Sequence, residues 1–332
     1  MKFIIIFALS SFLVALSASE IKDDSSWRLE RSNLHYENDI IFNTDGEYTS
    51  GIKISNIYSI SSVDMDWLKT PLNYKEKNSH FVSLAIGQEI FTPEDIVATD
   101  IIVNDRPYAG WLYLDVGLHE SSSDELYSIN LQIGVVGKSS LAESSQIIVH
   151  KIKGVDIPQG WDNQLKDELG INLIYQHKWY FSPEPLYGVE SNFVPFAEGS
   201  LGNVSAYARA GALLRFGLNP IKDFGSSSIN VGGENGVPIS ANSLCSRGEP
   251  WSLTFNLALA GTAVARDIFL DGSTFRDSHS VDKKPFYVYA AYGFSLRYKR
   301  YLMDWLFTSS SKQFEQEQKN HEYGALLFSY LY

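Results

Sequence analysis

The stretch Leu126-Tyr127-Ser128-Ile129-Asn130-Leu131-Gln132-Ile133-Gly134-Val135 decides the fold. Tyr127, Ile129, Leu131, Ile133 and Val135 share one face; Ser128, Asn130, Gln132 and Gly134 share the other. A period of two is a β-strand. Its length matches the roughly 9–11 residues that carry a tilted strand across a bilayer, so an apolar face toward lipid and a polar face toward a lumen account for both halves of the pattern.

The pattern recurs. Leu112, Leu114, Val116 and Leu118 oppose Trp111, Tyr113, Asp115 and Gly117, and Leu253, Phe255, Leu257 and Leu259 oppose Ser252, Thr254 and Asn256. Strands are expected at 33–42, 48–59, 80–91, 109–120, 124–137, 169–181, 187–198, 204–217, 250–263, 284–297, 301–309 and 321–332. An even count of about twelve suits a single-chain bacterial barrel. The chain closes on Leu326, Phe328, Tyr330 and Tyr332, which resembles the terminal strand of outer-membrane barrels. The expected fold is all-β, a transmembrane antiparallel up-and-down barrel. A soluble β-sandwich would also alternate.

The 332 residues carry a net charge of −12, which argues against a nucleic-acid partner. Aromatic residues make up 14% of the chain, enough for girdles at two membrane interfaces. Lys2, the apolar run from Phe3 to Leu16, and small Ser17-Ala18-Ser19 read as a secretory signal peptide over 1–19. Residues 20–332 are then one outer-membrane barrel domain, read as a monomer. The single cysteine, Cys245, has no internal disulfide partner and reads as a loop thiol.

One connection abandons the period of two. Residues 138–168 take helical spacing, with Ala142, Gln146, Val149 and Lys153 on one face and Gly154 as a stop. A second short helix is expected from Trp161 to Glu168. Residues 218–249, rich in Gly, Ser and Asn, read as a long loop. Ser121-Ser122-Ser123 and Lys299-Arg300 suit tight periplasmic turns. With the N-terminus periplasmic, strand parity sends Asn38 and Asp39, Thr49 and the 138–168 insertion to the same outer rim.

That convergence offers chemistry. His150 is alone among the histidines in lying on the helix; the other six are expected at strand ends or in loops. A neutral imidazole there could take a proton from water, or could be a polar residue bonded to lumen side chains. Asn38, Asp39 and Asp156 supply hard oxygens of the kind that bind Ca²⁺ or Mg²⁺, or a hydrogen-bonded network of the lumen. Asp45 and Glu47 read better as turn residues. Other templates fail: no G-x-S-x-G elbow occurs, Gly137-Lys138-Ser139 lacks the first glycine of a phosphate loop because position 132 is Gln132, and no H-E-x-x-H or paired C-x-x-C is present.

Six stretches resemble the outer-membrane lipid A 3′-O-deacylases: Glu37-Asn38-Asp39, Tyr48-Thr49-Ser50-Gly51, Arg106-Pro107-Tyr108-Ala109-Gly110, Gln146 to His150, Gly160-Trp161-Asp162-Asn163-Gln164 and Asp271 to Ser278. The resemblance implies a twelve-stranded barrel with a calcium-dependent esterase site between barrel wall and lumen near the outer rim. It implies His150 as the base on water, Asn38 and Asp39 supporting the ion and the site, and Thr49 orienting groups within it. Gln146 lies one turn before His150 and can share its helix face. Asp156 stands where the family often has Glu, one methylene longer, and would be a third ion ligand. The substrate implied is the 3′-linked acyloxyacyl group of lipid A in lipopolysaccharide, reached from the outer leaflet among outer-membrane lipids. An outer-membrane phospholipase with a serine nucleophile, or a non-enzymatic pore plugged by 138–168, are the alternatives.

Overall fold

The computed structural model describes residues 27–39, 47–60, 78–226, 234, 236–241, 243 and 249–332. The signal peptide, Cys245 and Asp45 lie outside these residues, as does the side chain of Glu47. Twelve antiparallel strands close into one barrel, each paired to its neighbours in sequence and β1 paired to β12. They are β1 (Trp27–Asn38), β2 (Glu47–Ile60), β3 (Ser79–Thr92), β4 (Ala109–Ser121), β5 (Glu125–Val136), β6 (Glu168–Trp179), β7 (Glu190–Gly202), β8 (Ser205–Leu218), β9 (Trp251–Asp267), β10 (Phe286–Tyr298), β11 (Tyr301–Ser310) and β12 (His321–Leu331). Closure leaves no sheet edge, so every strand satisfies its backbone within the wall.

Alternation sets the two faces. On β5 Leu131 and Ile133 are exposed, whereas Ser128, Asn130 and Gln132 are buried. On β4 Leu114 and Val116 face out and Asp115 faces in, accepting from Asn130 Nδ2 at 2.7 Å and Gln132 Nε2 at 3.0 Å. With an even number of strands the start of β1 and the end of β12 lie at one rim, the one that also carries the tight turns 122–124 and 299–300; the opposite rim is the outer one.

All twelve expected strands are present, with shifted ends. β1 starts at Trp27 rather than 33 and ends at Asn38, which moves His35 from a strand end into a strand interior. β7 starts at Glu190 rather than 187 because Tyr187 and Gly188 both adopt positive φ and turn the chain between Leu186 and Val189. The 138–168 insertion holds one helix, α1 (Ala142–Lys153). The second expected helix is a single 3₁₀ turn, Trp161–Asn163, after which Gln164 is extended and leads into β6.

A lumen of twelve strands is too wide for wall side chains alone to fill. Residues of the β8–β9 connection fill it from the periplasmic side. Phe224 and Val237 pack with Ile57, Phe81, Leu126 and Val194. Asp223 takes Arg31 Nη1 at 2.8 Å and Arg215 Nη1 at 2.5 Å, and Glu234 takes Lys53 Nζ at 3.2 Å. Each cation is paired, as buried charges must be. This connection, not the 138–168 insertion, is the plug.

Candidate active site on the outer barrel wall

The helix α1 lies on the lipid side of the wall. Gly110 precedes Trp111, whose side chain belongs to the lumen cluster with Tyr48, Phe91 and Tyr113; Gly110 therefore points out. A Cβ built there would stand 2.1 Å from the Ala142 Cβ, so only glycine lets the helix approach. Ala142 packs with Ile90, Tyr108 and Trp161 in a cluster separate from the lumen core. Gln88 Nε2 donates to the Ser140 carbonyl at 2.6 Å. The far end of the insertion is tied back by Asp167, which accepts from Ser139 N at 2.8 Å and Ser139 Oγ at 2.5 Å. Burial works upward on that carboxyl, but the bonds from Ser139 outweigh it and hold it below its ordinary range. The site thus lies between helix and outer wall, not between wall and lumen as the resemblance implied.

The buried face of α1 is Ala142, Gln146 and His150, at i, i+4 and i+8. It is rotated from the expected Ala142–Gln146–Val149–Lys153 stripe: Val149 is half-buried and Lys153 exposed. Gly154, at φ 71°, stops the helix by returning its N–H to the His150 carbonyl. That turn brings the Asp156 carbonyl over the imidazole, where it accepts from His150 Nδ1. A carbonyl only accepts, so the proton sits on Nδ1 and the lone pair of the neutral ring on Nε2.

Gln146 is fixed in the same way. Its Oε1 accepts from Trp161 Nε1 at 2.8 Å, and the Trp161 ring packs tilted against Tyr108, centroids 5.0 Å apart. The amide orientation follows, and Nε2 is left buried without a hydrogen-bond partner among the described residues. Across from the helix, Asn38 Nδ2 donates to the Thr49 carbonyl at 3.0 Å, which turns Asn38 Oδ1 outward to accept from Lys153 Nζ at 3.3 Å. Thr49 occupies the bulge where the β2–β3 register shifts between Tyr48 and Ser50, and its hydroxyl pairs with Thr92 Oγ1 at 2.7 Å.

His150, Gln146, Asn38 and Thr49 line one cavity of about 810 Å³, inside the range of ligand sites, roughly 300–1,000 Å³. Asp39 is fully buried beside Asn38 but does not line it. Asp156 is exposed, and the atom it gives to His150 is its carbonyl oxygen. Among the described residues no group of three or more His, Cys, Asp or Glu stands together to hold a metal. The donor chemistry at Asn38 nevertheless suits a cation, since an ammonium already rests on its Oδ1.

Several quoted motifs turn out to build the seat of α1. Tyr108 donates to the Ile96 carbonyl at 3.0 Å. A Cβ on Gly160 would stand 2.4 Å from the Tyr108 ring, so this glycine too permits a close approach. Lys153 and Thr92 were not singled out from the sequence as site residues. The position of Lys153, three residues after His150 on α1, was the signal available for it.

The other histidines serve elsewhere. His119 is buried in the lumen between Ser128 Oγ at 2.8 Å and Ser83 Oγ at 2.9 Å.

The family described as outer membrane protein LpxR matches residues 3–332. Among solved structures, LpxR from Salmonella typhimurium superposes with a TM-score of 0.72 at 18% identity, over 91% of this chain and 100% of that one, which shows the same fold. The translocator domain of the autotransporter NalP from Neisseria meningitidis (TM-score 0.39, 8% identity, 100% and 97% covered) and the Pseudomonas putida toluene transporter TodX (0.33, 7%, 93% and 89%) are far more distant. No curated protein matches by sequence. The chain belongs to the outer membrane protein LpxR family, the lipid A 3′-O-deacylases of the bacterial outer membrane.

Proposed function

We propose that the protein is a monomeric, calcium-dependent esterase that hydrolyses the 3′-linked acyloxyacyl group of lipid A, with His150 activating the attacking water. The observation that carries this reading is the held imidazole: His150 gives Nδ1–H to the Asp156 carbonyl, beside Gln146 and Asn38, on a cavity of the lipid-facing wall. A passive barrel has no need of a helix clamped to its outside. The filled lumen also weighs against a pore.

The chain's residues divide the reaction as follows. The Nε2 lone pair takes a proton as water oxygen attacks the ester carbonyl carbon. The carbonyl oxygen gathers negative charge, which the Gln146 Nε2–H donors, their amide oriented by Trp161, would stabilise. The ester C–O bond then breaks, and the imidazolium returns its proton to the departing 3′ oxygen of the sugar. Thr49 holds Asn38 through its carbonyl and so sets the direction of Oδ1. Asn38 and Asp39 would hold the calcium ion, with Asp156 as third ligand. When bound, the ion would polarise the ester carbonyl as a Lewis acid.

Purified protein in detergent, given lipopolysaccharide, should release a 3′ chain with calcium present and stop when a chelator is added. Full rate in chelator would remove calcium from the reading. Ser50 and Ser145 also line the cavity, so a serine-directed covalent inhibitor separates the phospholipase alternative: the proposed enzyme stays unlabelled and active.

A further inference from the structure

The cavity does not end at the catalytic cluster. It continues from His150 down the wall by every second residue: Asn38, Tyr36 and Leu34 on β1, then Phe328 on β12 and Met303 on β11. Register makes this a continuous track, since Leu34 pairs with Phe328 and Phe328 with Met303. The intervening residues of β1, Asn33, His35 and Glu37, are buried and polar in the lumen, so the track is on the lipid side. At the top α1 overhangs it with Val149 and His150. At the bottom Tyr301 and Tyr330 meet edge to face at 5.3 Å and border it.

The upper part of the track, from Asn38 to Leu34, runs four residues, about 13 Å along the strand, close to the ~15 Å that is half of a ~30 Å hydrocarbon core; the cavity goes on past it to Tyr301 and Tyr330 beside the periplasmic β10–β11 turn. The upper end of the track is the polar cluster at the outer rim, and the row below it on the lipid side, Leu34, Phe328 and Met303, is apolar. A lipid with an ester near its headgroup and a chain running down one leaflet has the same polarity and depth.

Resting on the deacylase reading, we propose that this groove seats the acyl chain being cleaved, and that the row Leu34, Phe328 and Met303 reads its length. The chain bound there holds the ester carbonyl under His150, so a chain too long for the groove withdraws the ester from the base. Removing groove depth should therefore discriminate among substrates while leaving the chemical machinery intact.

The test uses Leu34→Trp and, on a separate strand in case the first fails to fold, Met303→Trp. Each is checked for the heat-modifiable mobility of a folded barrel. Wild type and variants are given lipid A preparations of graded 3′-chain length, and products are read by mass spectrometry. The expected result is at least ~10-fold loss of kcat/KM on the longest chains relative to the shortest, the scale set by mismatch in an apolar pocket. Folded variants that treat all lengths as wild type does would overturn the groove assignment and leave the deacylase standing. A wild type that releases no chain from any substrate would overturn both.

Discussion

The lumen and the outer wall make opposite use of polar residues. The lumen is the richer in charge: Arg31, Lys53, Asp115, Glu198, Arg209, Arg215, Asp223 and Glu234 are all buried there. Yet they answer one another, Arg31 and Arg215 on Asp223, Lys53 on Glu234, Arg209 on Glu198. On the outer wall, His150, Gln146 and Asn38 are held by backbone or indole partners and line a cavity facing lipid. Satisfied charge holds a barrel together; preset, outward-facing polarity is what a reaction needs.

That contrast can be broken on either side. On the wall, Gln146→Leu should cut kcat by ~10²–10³, the usual cost of losing a preset donor to a developing oxyanion, with little change in KM for lipopolysaccharide. Gly110→Val should lift α1 from its seat, because a Cβ has no room against Ala142. A shift of about 1 Å in the helix is enough for ~10²-fold in rate, and an unchanged rate in the folded variant would mean that the helix position is irrelevant.

In the lumen, Lys53→Met should do the reverse. Glu234 and Asp115 lose the ammonium they share at 3.2 and 3.7 Å. Stripping a buried pair of one partner costs ~3–5 kcal/mol, read as a lower unfolding midpoint in urea, whereas turnover per folded molecule should not move. The smallest effect is expected at Asp156→Ala. The backbone carbonyl that orients His150 survives, so the rate at saturating calcium should hold. With the carboxylate lost as third ligand, half-saturation by calcium should rise ~10- to 100-fold, the range for supporting residues of a metal site.

The strands were legible because lipid demands an apolar residue at every second position, as at Tyr127, Ile129, Leu131 and Ile133. α1 was legible because its segment breaks that period. Its side of the wall was not: a buried face of Ala142, Gln146 and His150 reads as a lumen face, and what puts it outside is Gly110, Ile90 and Tyr108 on other segments. The plug escaped notice because its anchors, Asp223 and Glu234, find their partners far along the chain; Arg31, Lys53 and Arg215, cations on lumen faces of strands, were the unread sign. Asp156 shows a subtler gap. Sequence offers its carboxylate, and the fold gives His150 its carbonyl.

The most direct measurement is mass spectrometry of lipid A from Gram-negative cells expressing wild type, His150→Ala or His119→Ala, each confirmed as a folded barrel in the outer membrane. Wild type and His119→Ala should yield lipid A lacking the 3′-linked acyloxyacyl group. His150→Ala, short of its base by ~10²–10⁴-fold in rate, should leave lipid A intact. A His150→Ala strain whose lipid A is deacylated as fully as wild type would contradict the account.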